Sequence, residues 1–303
     1  MSKHTPNAFL DCHLPYIDEG LSKHQLSIYI KLLLGLPLPS LPSDDGRCAC
    51  GHSFDFLGYH RLNCNRHAGR AWKSGHDIVQ SQLAREFRRL GLSAIENDQE
   101  LRHRFSHLTS QKRGDIAVDA SSTDLTIYDS VHNVPRRSFV VDVKLASVVS
   151  AHAIWNPSLT SPGDAPDSSG LLAAEHHKNQ KHKPFYANIG FAFVPFVCSS
   201  FGVLGPSAVR ALYALAALEL RQHDAFRQRV GLDPLAVPAD RAQFRALSFR
   251  HISARIGHAL AKATVMRLLG TPSLPRDLPL PRTALARNRP GPADFLPSLS
   301  SSS

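Results

Sequence analysis

Two groups of residues in this 303-residue chain have the types and spacing to do chemistry. The first is Cys48, Cys50, His60 and Cys64, three sulfurs and one imidazole in a short stretch. Zinc takes four such ligands in a tetrahedron, and thiolate/imidazole sets are its usual structural cage. His60 and Cys64 are four apart, so on a helical turn they share one face. Only one residue separates Cys48 from Cys50, tighter than the usual spacing, which leaves His52 or His67 as a replacement member. The plainer alternative is a reduced pair of buried cysteines with surface histidines. With no neighbouring nucleophile and no open-site signature, a Zn²⁺ ion here is expected to be structural.

The second group is acidic. In Phe139-Val140-Val141-Asp142-Val143-Lys144-Leu145, a strand's period of two puts Phe139, Val141, Val143 and Leu145 on one face. Val140, Asp142 and Lys144 share the other. An acid and a lysine on an otherwise apolar strand are costly to bury without a purpose. Upstream, Lys112-Arg113-Gly114-Asp115-Ile116-Ala117-Val118 begins another strand with a second acid. Two carboxylates converging from adjacent strands can hold Mg²⁺, a hard cation that takes oxygen ligands and keeps several waters. A metal there polarises a phosphodiester and lowers the pKa of a bound water. Lys144 would orient that water or neutralise charge developing on the phosphate. Alone, Asp142 and Lys144 read better as a satisfied edge-strand ion pair, with Asp115 in a turn; the preceding acid-bearing strand and the following lysine-bearing helix strengthen the metal reading. A basic helix follows, Glu175-His176-His177-Lys178-Asn179-Gln180-Lys181-His182-Lys183. Lys178, Lys181 and His182 lie three and four apart on one helical face, placed to hold phosphates, as a solvated basic helix also would be.

The elements that must position these residues follow from periodicity. Residues 25–36 are largely apolar and run into the loop Pro37 to Pro42. Val79, Leu83, Phe87 and Leu90 recur at helical spacing between Lys73 and Leu90, with Gly91 as the stop. Strand-like runs come next at Ser93–Glu96, Asp115–Val118 and Ser138–Leu145. A further run, Leu125–Tyr128, is expected to pair with the third across His132, Asn133 and Pro135. The Pro/Ser/Gly/Asp-rich stretch Asn156 to Gly170 reads as a mobile loop. A helix follows from Leu171 to about Lys183, stopped near Pro184. Phe191 to Val197 reads as a strand, with Pro195 arguing for an edge or a bulge. Gly205-Pro206 opens a helix whose buried face is Val209, Leu212, Tyr213, Ala216 and Leu220. A last helix runs from about Arg241 to Leu269, and the Pro/Ser-rich tail beyond Gly270 reads as disordered. The order α, β, β, β, α, β, α, α is a mixed α/β class.

Net charge is +10 with histidine neutral, and 17 histidines would raise it in mild acid. That excess favours polyanionic partners: DNA, or RNA as the alternative. No apolar run is long enough for a membrane span, and the first twenty residues lack the apolar stretch of a secretory signal. Five cysteines with one tight cluster suggest a reduced compartment and metal binding rather than disulfides.

The order of these pieces resembles the restriction-endonuclease-like, or PD-(D/E)XK, superfamily: an acid on one strand, then D-x-K on the next. It is closer still to the endonuclease tail that follows the reverse transcriptase in site-specific non-LTR retrotransposons. There a Cys/His zinc knuckle precedes a helix, two acid-bearing strands and a lysine-rich helix. The matching pieces are Cys48 to Cys64, His76 to Leu90, Gly114-Asp115, Asp142-Val143-Lys144 and Lys178-Asn179-Gln180-Lys181, within about Lys31 to Ala216. The flanking Leu34-Gly35-Leu36-Pro37, Phe193-Val194-Pro195-Phe196 and Gly202 to Pro206 also look like such tails. Three features depart from the pattern. Gly114 stands where the superfamily has proline, His182 where it has tyrosine, and the chain holds no Tyr-x-Asp-Asp or Phe-x-Asp-Asp box.

The resemblance implies a mixed sheet flanked by helices plus a zinc lobe, and a metal-dependent DNA endonuclease. Asp115 and Asp142 would hold Mg²⁺, Lys144 would orient the water, and Lys178 and Lys181 would bind phosphates. The superfamily's glutamate falls on Glu96 first, Glu100 second and Glu86, on the preceding helix, third. The expected segments are an N-terminal helical stretch (1–45), a knuckle (46–70), a nuclease-like core (71–223), a basic helical extension (224–270) and a tail (271–303). Arg241, Arg245, Arg255 and Lys262 of the extension are expected to dock the duplex. No membrane and no small-molecule cofactor is expected, and the location is intracellular, nuclear in preference to cytoplasmic. Two other readings remain: a non-catalytic DNA- or RNA-binding module on a decayed nuclease scaffold, and a nuclease selective for branched DNA.

Overall fold

The computed structural model describes residues 21–38, 47–48, 50–96, 98–105, 114–146, 169–235 and 237–269. In chain order its elements are α1 (Lys23–Leu33), α2 (Tyr59–Asn63), α3 (Asn65–Arg89), β1 (Ser93–Ile95), α4 (Asp98–Arg104), β2 (Ile116–Asp119), β3 (Ile127–Asp129), β4 (Val134–Arg136), β5 (Ser138–Ala146), α5 (Ser169–Asn188), β6 (Ala192–Ser199), α6 (Pro206–Arg229) and α7 (Pro238–Leu269). The fold is mixed α/β, with a mixed sheet of order β1-β2-β5-β6. β1 with β2, and β2 with β5, run antiparallel, while β5 and β6 run parallel.

The period of two in β5 decides the layers. Phe139, Val141, Val143 and Leu145 face α3, α6 and α7, where Val79, Leu83, Phe87, Leu212, Ala216, Ile252 and Leu260 complete the main core. Val140 faces the other way, into a smaller cluster with Ala117, Tyr186, Phe193, Leu101 and Phe105. α5 therefore lies across the sheet from α3, and Asp142 looks toward α5. β6 is an edge strand, which agrees with Pro195: an edge position needs no N–H on its outer side.

Several elements differ from the sequence expectation. The run at Leu125–Tyr128 does not pair with β5. β3 instead closes a two-stranded hairpin with β4, Ile127 opposite Arg136 and Asp129 opposite Val134, and Pro135 sits inside β4. Asn133 takes a left-handed φ of 59°, which Asn tolerates, so the turn closes earlier than expected. α5 does not stop at Pro184 but continues to Asn188. Proline lacks the N–H for the bond to Gln180, but the turn beyond it is pinned by the buried Tyr186, which stacks on Phe193 at 5.6 Å. α3 starts eight residues before Lys73, at Asn65, directly after the knuckle's last cysteine. On α6, Tyr213 is exposed and stacks on Phe249 of α7 at 4.0 Å instead of entering the core.

The segment expected to be a basic extension contributes to the core. α7 buries Ile252, Ile256, Leu260 and Ala263 against α3 and α6. Residues up to Gly270 form one compact unit. The loop expected at Asn156 to Gly170 falls outside the described residues up to 168, and its last two residues begin α5. Part of the Pro37–Pro42 loop and the tail beyond Gly270 also lie outside them. Among the described residues, no helix is long and apolar enough to cross a membrane.

Candidate metal centres

The knuckle is local. Cys48 and Cys50 sit on a turn closed by Cys48 N–H to His52 O and Gly51 N–H to Cys48 O, each 2.8 Å, with Gly51 at φ 91°. That turn explains the short Cys-x-Cys spacing, because it folds Cys50 back until its backbone N–H bonds the Cys48 sulfur. α2 then delivers His60, and Cys64 caps its end. The four side chains offer ligand atoms that all lie within 4.8 Å of one another. Cys48 Sγ and Cys64 Sγ are 3.5 Å apart, near the edge of about 3.8 Å for a tetrahedron with Zn–S about 2.3 Å. Cys50 Sγ is 3.3 Å from His60 Nε2. His52 approaches Cys50 at 3.5 Å and flanks the cluster rather than replacing a member. The His67 side chain lies outside what is described. Burial, with Cys64 beside it, pushes the Cys48 thiol up to about 11, a cost that a dication would relieve by taking the thiolate. The chemistry of the donor set fits zinc.

Asp55 supports this lobe, and the sequence reading missed it. Its carboxylate accepts from Leu57, Tyr59 and His60 backbone N–H at 3.0, 3.0 and 2.6 Å, capping α2. Asp-x-x-Gly-Tyr ahead of a helical His-x₃-Cys was the available signal. The lobe docks through Tyr59 and Leu62, buried with Ile28, Leu32, Val265 and Leu268 of α1 and α7. Arg61 reaches the Leu268 carbonyl at 3.4 Å and stacks over Phe54.

The acidic group is assembled over a longer span. Ile116 pairs with Val141 and Ala117 with Val140. The register ends at Ile116, and just before it the Asp115 N–H donates to Val141 O at 2.9 Å, the oxygen of Ile116's own partner. From there its carboxyl comes within hydrogen-bonding reach of the Asp142 carboxyl, so the two acids converge. Burial, then the Asp115 charge, pushes the Asp142 carboxyl up to about 6, against the pull of Lys178. Lys178 Nζ from α5 binds both Asp142 oxygens, at 2.8 and 2.7 Å. The like charges of the two acids are thus balanced by a lysine one layer away.

Two histidines flank the acids: His182 was expected beside them on the phosphate-holding face with Lys178, whereas His76 was given no role from the sequence. His76 of α3 lies 3.1 Å from Asp115 Oδ2 and 3.2 Å from Val143 O through Nε2. Burial pulls its pKa down, but hydrogen bonding to Asp115 and the Asp115 charge outweigh that and push it up to about 9. His182 lies buried on α5, stacked on Phe193, with Nε2 3.8 Å from Asp142 Oδ2. Burial, then the Lys178 and Lys181 charges, push it down to about 4, so it is a neutral neighbour and not an ion-pair partner. A helical His at the right turn of α3 is a weak signal in a chain with 17 histidines.

The remaining expected residues divide. Lys144 is half-buried on the Asp142 face and forms no ion pair among the described residues. Lys181 is exposed one turn from Lys178. Glu96 is not brought onto the acid pair: Arg88 holds its Oε1 at 2.8 Å, while Oε2 is buried without a partner. Glu100 is exposed on α4. Glu86 is buried in a separate network, bound by Arg255 at 2.5 and 2.8 Å and by Arg89 at 3.0 Å. Arg241 likewise binds Asp224 at 2.5 Å, so these two α7 arginines are committed inside the fold. The departure at Gly114 has a steric cause. A Cβ there would run into Val140, and its N–H donates to the Tyr186 hydroxyl at 2.6 Å, a bond proline could not make.

No family model, curated protein or solved structure matches the chain.

Proposed function

We propose that this chain is a metal-dependent DNA endonuclease, built on a restriction-endonuclease-like core behind a structural zinc knuckle and related to retrotransposon endonuclease tails. One observation carries the reading: Asp115 and Asp142 converge from adjacent strands, with Lys144 on the same strand face and Lys178 at hydrogen-bonding distance. Such a pair, with one carboxyl held up by burial and then by its neighbour's charge, has the donor chemistry of a site for a hard dication. A bound Mg²⁺ would supply Lewis-acid polarisation of the phosphodiester and a more acidic water.

The side chains would then divide the work. Asp115 and Asp142 hold the cation, and Lys144 orients the attacking water and offsets charge on the phosphate. Lys178, which now holds both Asp142 oxygens, would be the group to turn to a phosphate oxygen when those oxygens serve a cation, with exposed Lys181 beside it. Glu96 contributes only once Arg88 lets go, directly or through water. The new bond joins the water oxygen to phosphorus while the bond to the leaving sugar oxygen breaks, and that oxygen takes up a proton. A net charge of +10 favours the polyanionic substrate, and a DNA substrate makes a nuclear location the natural one.

The test is incubation with supercoiled plasmid in Mg²⁺ or EDTA, for wild type and Asp142→Ala. Mg²⁺-dependent nicking that disappears in the variant supports the reading. Nicking that persists unchanged in Asp142→Ala defeats the catalytic assignment. A second reading, a DNA- or RNA-binding module on a decayed scaffold, draws support from the same ion pair: His76 and Lys178 already satisfy both acids without a metal. Binding without cleavage, in Mg²⁺ and in Mn²⁺, favours it.

A further inference from the structure

The acid pair poses a mechanical problem. Two carboxylates side by side repel, and a free aspartate would rotate about χ1 away from its neighbour. Asp115 is prevented from doing so on several sides. The Val143 N–H donates to Asp115 Oδ2 at 2.6 Å. His76 Nε2 approaches the same oxygen at 3.1 Å and the Val143 carbonyl at 3.2 Å. Both of those partners are acceptors, so Nε2 carries a proton and donates to each. With two donors on Oδ2, the other oxygen, Oδ1, is the one left for a cation.

One turn along α3, Gln80 grips the backbone of the same residue. Its Nε2 donates to Asp115 O at 2.8 Å and to Glu96 O at 3.2 Å, joining the start of β2 to the end of β1. α3 thus fixes Asp115 by side chain and by carbonyl. Glu96, the glutamate expected to complete the site, is turned onto Arg88 instead. We propose that His76 is a positioning residue of the acid pair, whose Nε2–H locks the Asp115 carboxylate against Val143 and presents it to a divalent cation. This rests on the metal-site reading of Asp115 and Asp142. It adds that the third arm of the site is a hydrogen-bond donor from a helix rather than another acidic ligand.

Groups that hold a metal ligand in place typically change metal affinity by about 10–100-fold when removed. The experiment measures Mn²⁺ binding by the loss of the free-ion electron paramagnetic resonance signal, on zinc-loaded full-length protein without DNA. His76→Ala and His76→Asn, which cannot reach both acceptors, should each weaken Mn²⁺ binding by about 10-fold or more. His76→Gln, whose amide can stand in for Nε2–H, should recover most of the loss. Zinc content and the thermal midpoint report whether the fold is intact, and both should match wild type. A merely structural histidine would not show rescue by Gln with failure by Asn at equal stability. If Asp115→Asn abolishes Mn²⁺ binding while all three His76 variants bind like wild type, the positioning role is wrong and the metal site stands. If wild type and Asp115→Asn bind Mn²⁺ equally, or neither binds it, the metal site itself falls and the positioning role with it.

Discussion

The Cys/His cluster and the acid pair are both polar, both buried, and built in opposite ways. The cluster draws its ligand atoms from a single stretch, with its outer members Cys48 and Cys64 16 residues apart. A turn, a short helix and a capping aspartate set its geometry before any other element is needed. The acid pair draws on α3, β2, β5 and α5, with His76 39 residues from Asp115 and Lys178 36 residues from Asp142. Its charges are met by the protein cations His76 and Lys178, whereas the cluster's thiols contact one another, the His52 and His60 rings and a backbone N–H. A metal should therefore be part of the fold at the first site and a visitor at the second.

The largest expected effect breaks the first half of that contrast. Removing zinc with a strong chelator, or replacing Cys64 by Ser, should unfold the lobe from Arg47 to Asn63 and free the Ile28/Tyr29/Leu32 face of α1. Structural zinc contributes on the order of 10 kcal/mol to folding of such small sites. Amide exchange should show lost protection there, and over the first turns of α3 that follow Cys64, while β2 and β5 keep theirs. Metal analysis finding no zinc in purified protein sinks the prediction.

Asp142→Asn should do the reverse. The Asp142 carboxyl is held above its unfolded value, so the folded state gains stability below that value and loses it as pH rises through about 6. At neutral pH the substitution removes that loss, and the thermal midpoint should hold or rise. Cleavage should nevertheless fall by about 100-fold or more, since a metal ligand is gone. A midpoint that drops as far as in Cys64→Ser would show that the acid pair is structural too.

This difference also marks what the sequence could reveal. The four knuckle ligands were readable because chain proximity stands in for spatial proximity. Asp115, Asp142 and Lys144 were readable because β5 alternates cleanly, which fixes the face Asp142 occupies, and because an acid-bearing strand precedes it. His76 and Gln80 were not, since on a helix of mixed polarity nothing distinguishes a residue that reaches a strand end from one that faces water. Glu96 was readable at the end of β1, but the hold of Arg88 on its carboxylate was not, for a similar reason. Pro184 was misjudged because a distant contact, Tyr186 on Gly114, overrides the local rule, and the β3–β4 hairpin because the turn closes locally at Asn133, before Pro135.

A smaller effect should appear in the pH dependence of metal binding. A cation needs the Asp142 carboxylate, and a proton competes for it with a pKa pushed up to about 6. Mn²⁺ affinity should be flat above that value and fall by about 10-fold for each pH unit below it. Zinc at the knuckle should stay bound until the pH is low enough to protonate its thiolates and imidazole. Parallel curves at the two sites would erase the contrast between them.

The smallest effect concerns DNA binding in EDTA and separates the two lysines of α5. Lys181 is exposed, so it is free to meet a phosphate, and Lys181→Ala should weaken binding modestly and reduce the salt slope by about one. Lys178 is different, because both Asp142 oxygens hold its ammonium. Without metal it contributes little net charge to the surface. Lys178→Ala would lose a phosphate contact only to the extent that Lys178 had left Asp142, and it also strips that acid of its counterion. Asp142→Asn has the opposite sense: it removes a negative charge and releases Lys178, so binding should tighten and the slope should steepen by about one. In the double variant that gain should vanish, because the freed lysine is absent. Salt titrations of the three variants and wild type therefore form a cycle, and its interaction energy should be well above the few tenths of a kcal/mol expected of independent sites. Additive effects across the cycle would mean that Lys178 meets DNA whether or not Asp142 holds it, and the acid pair would then lack the built-in cation that sets it apart from the knuckle.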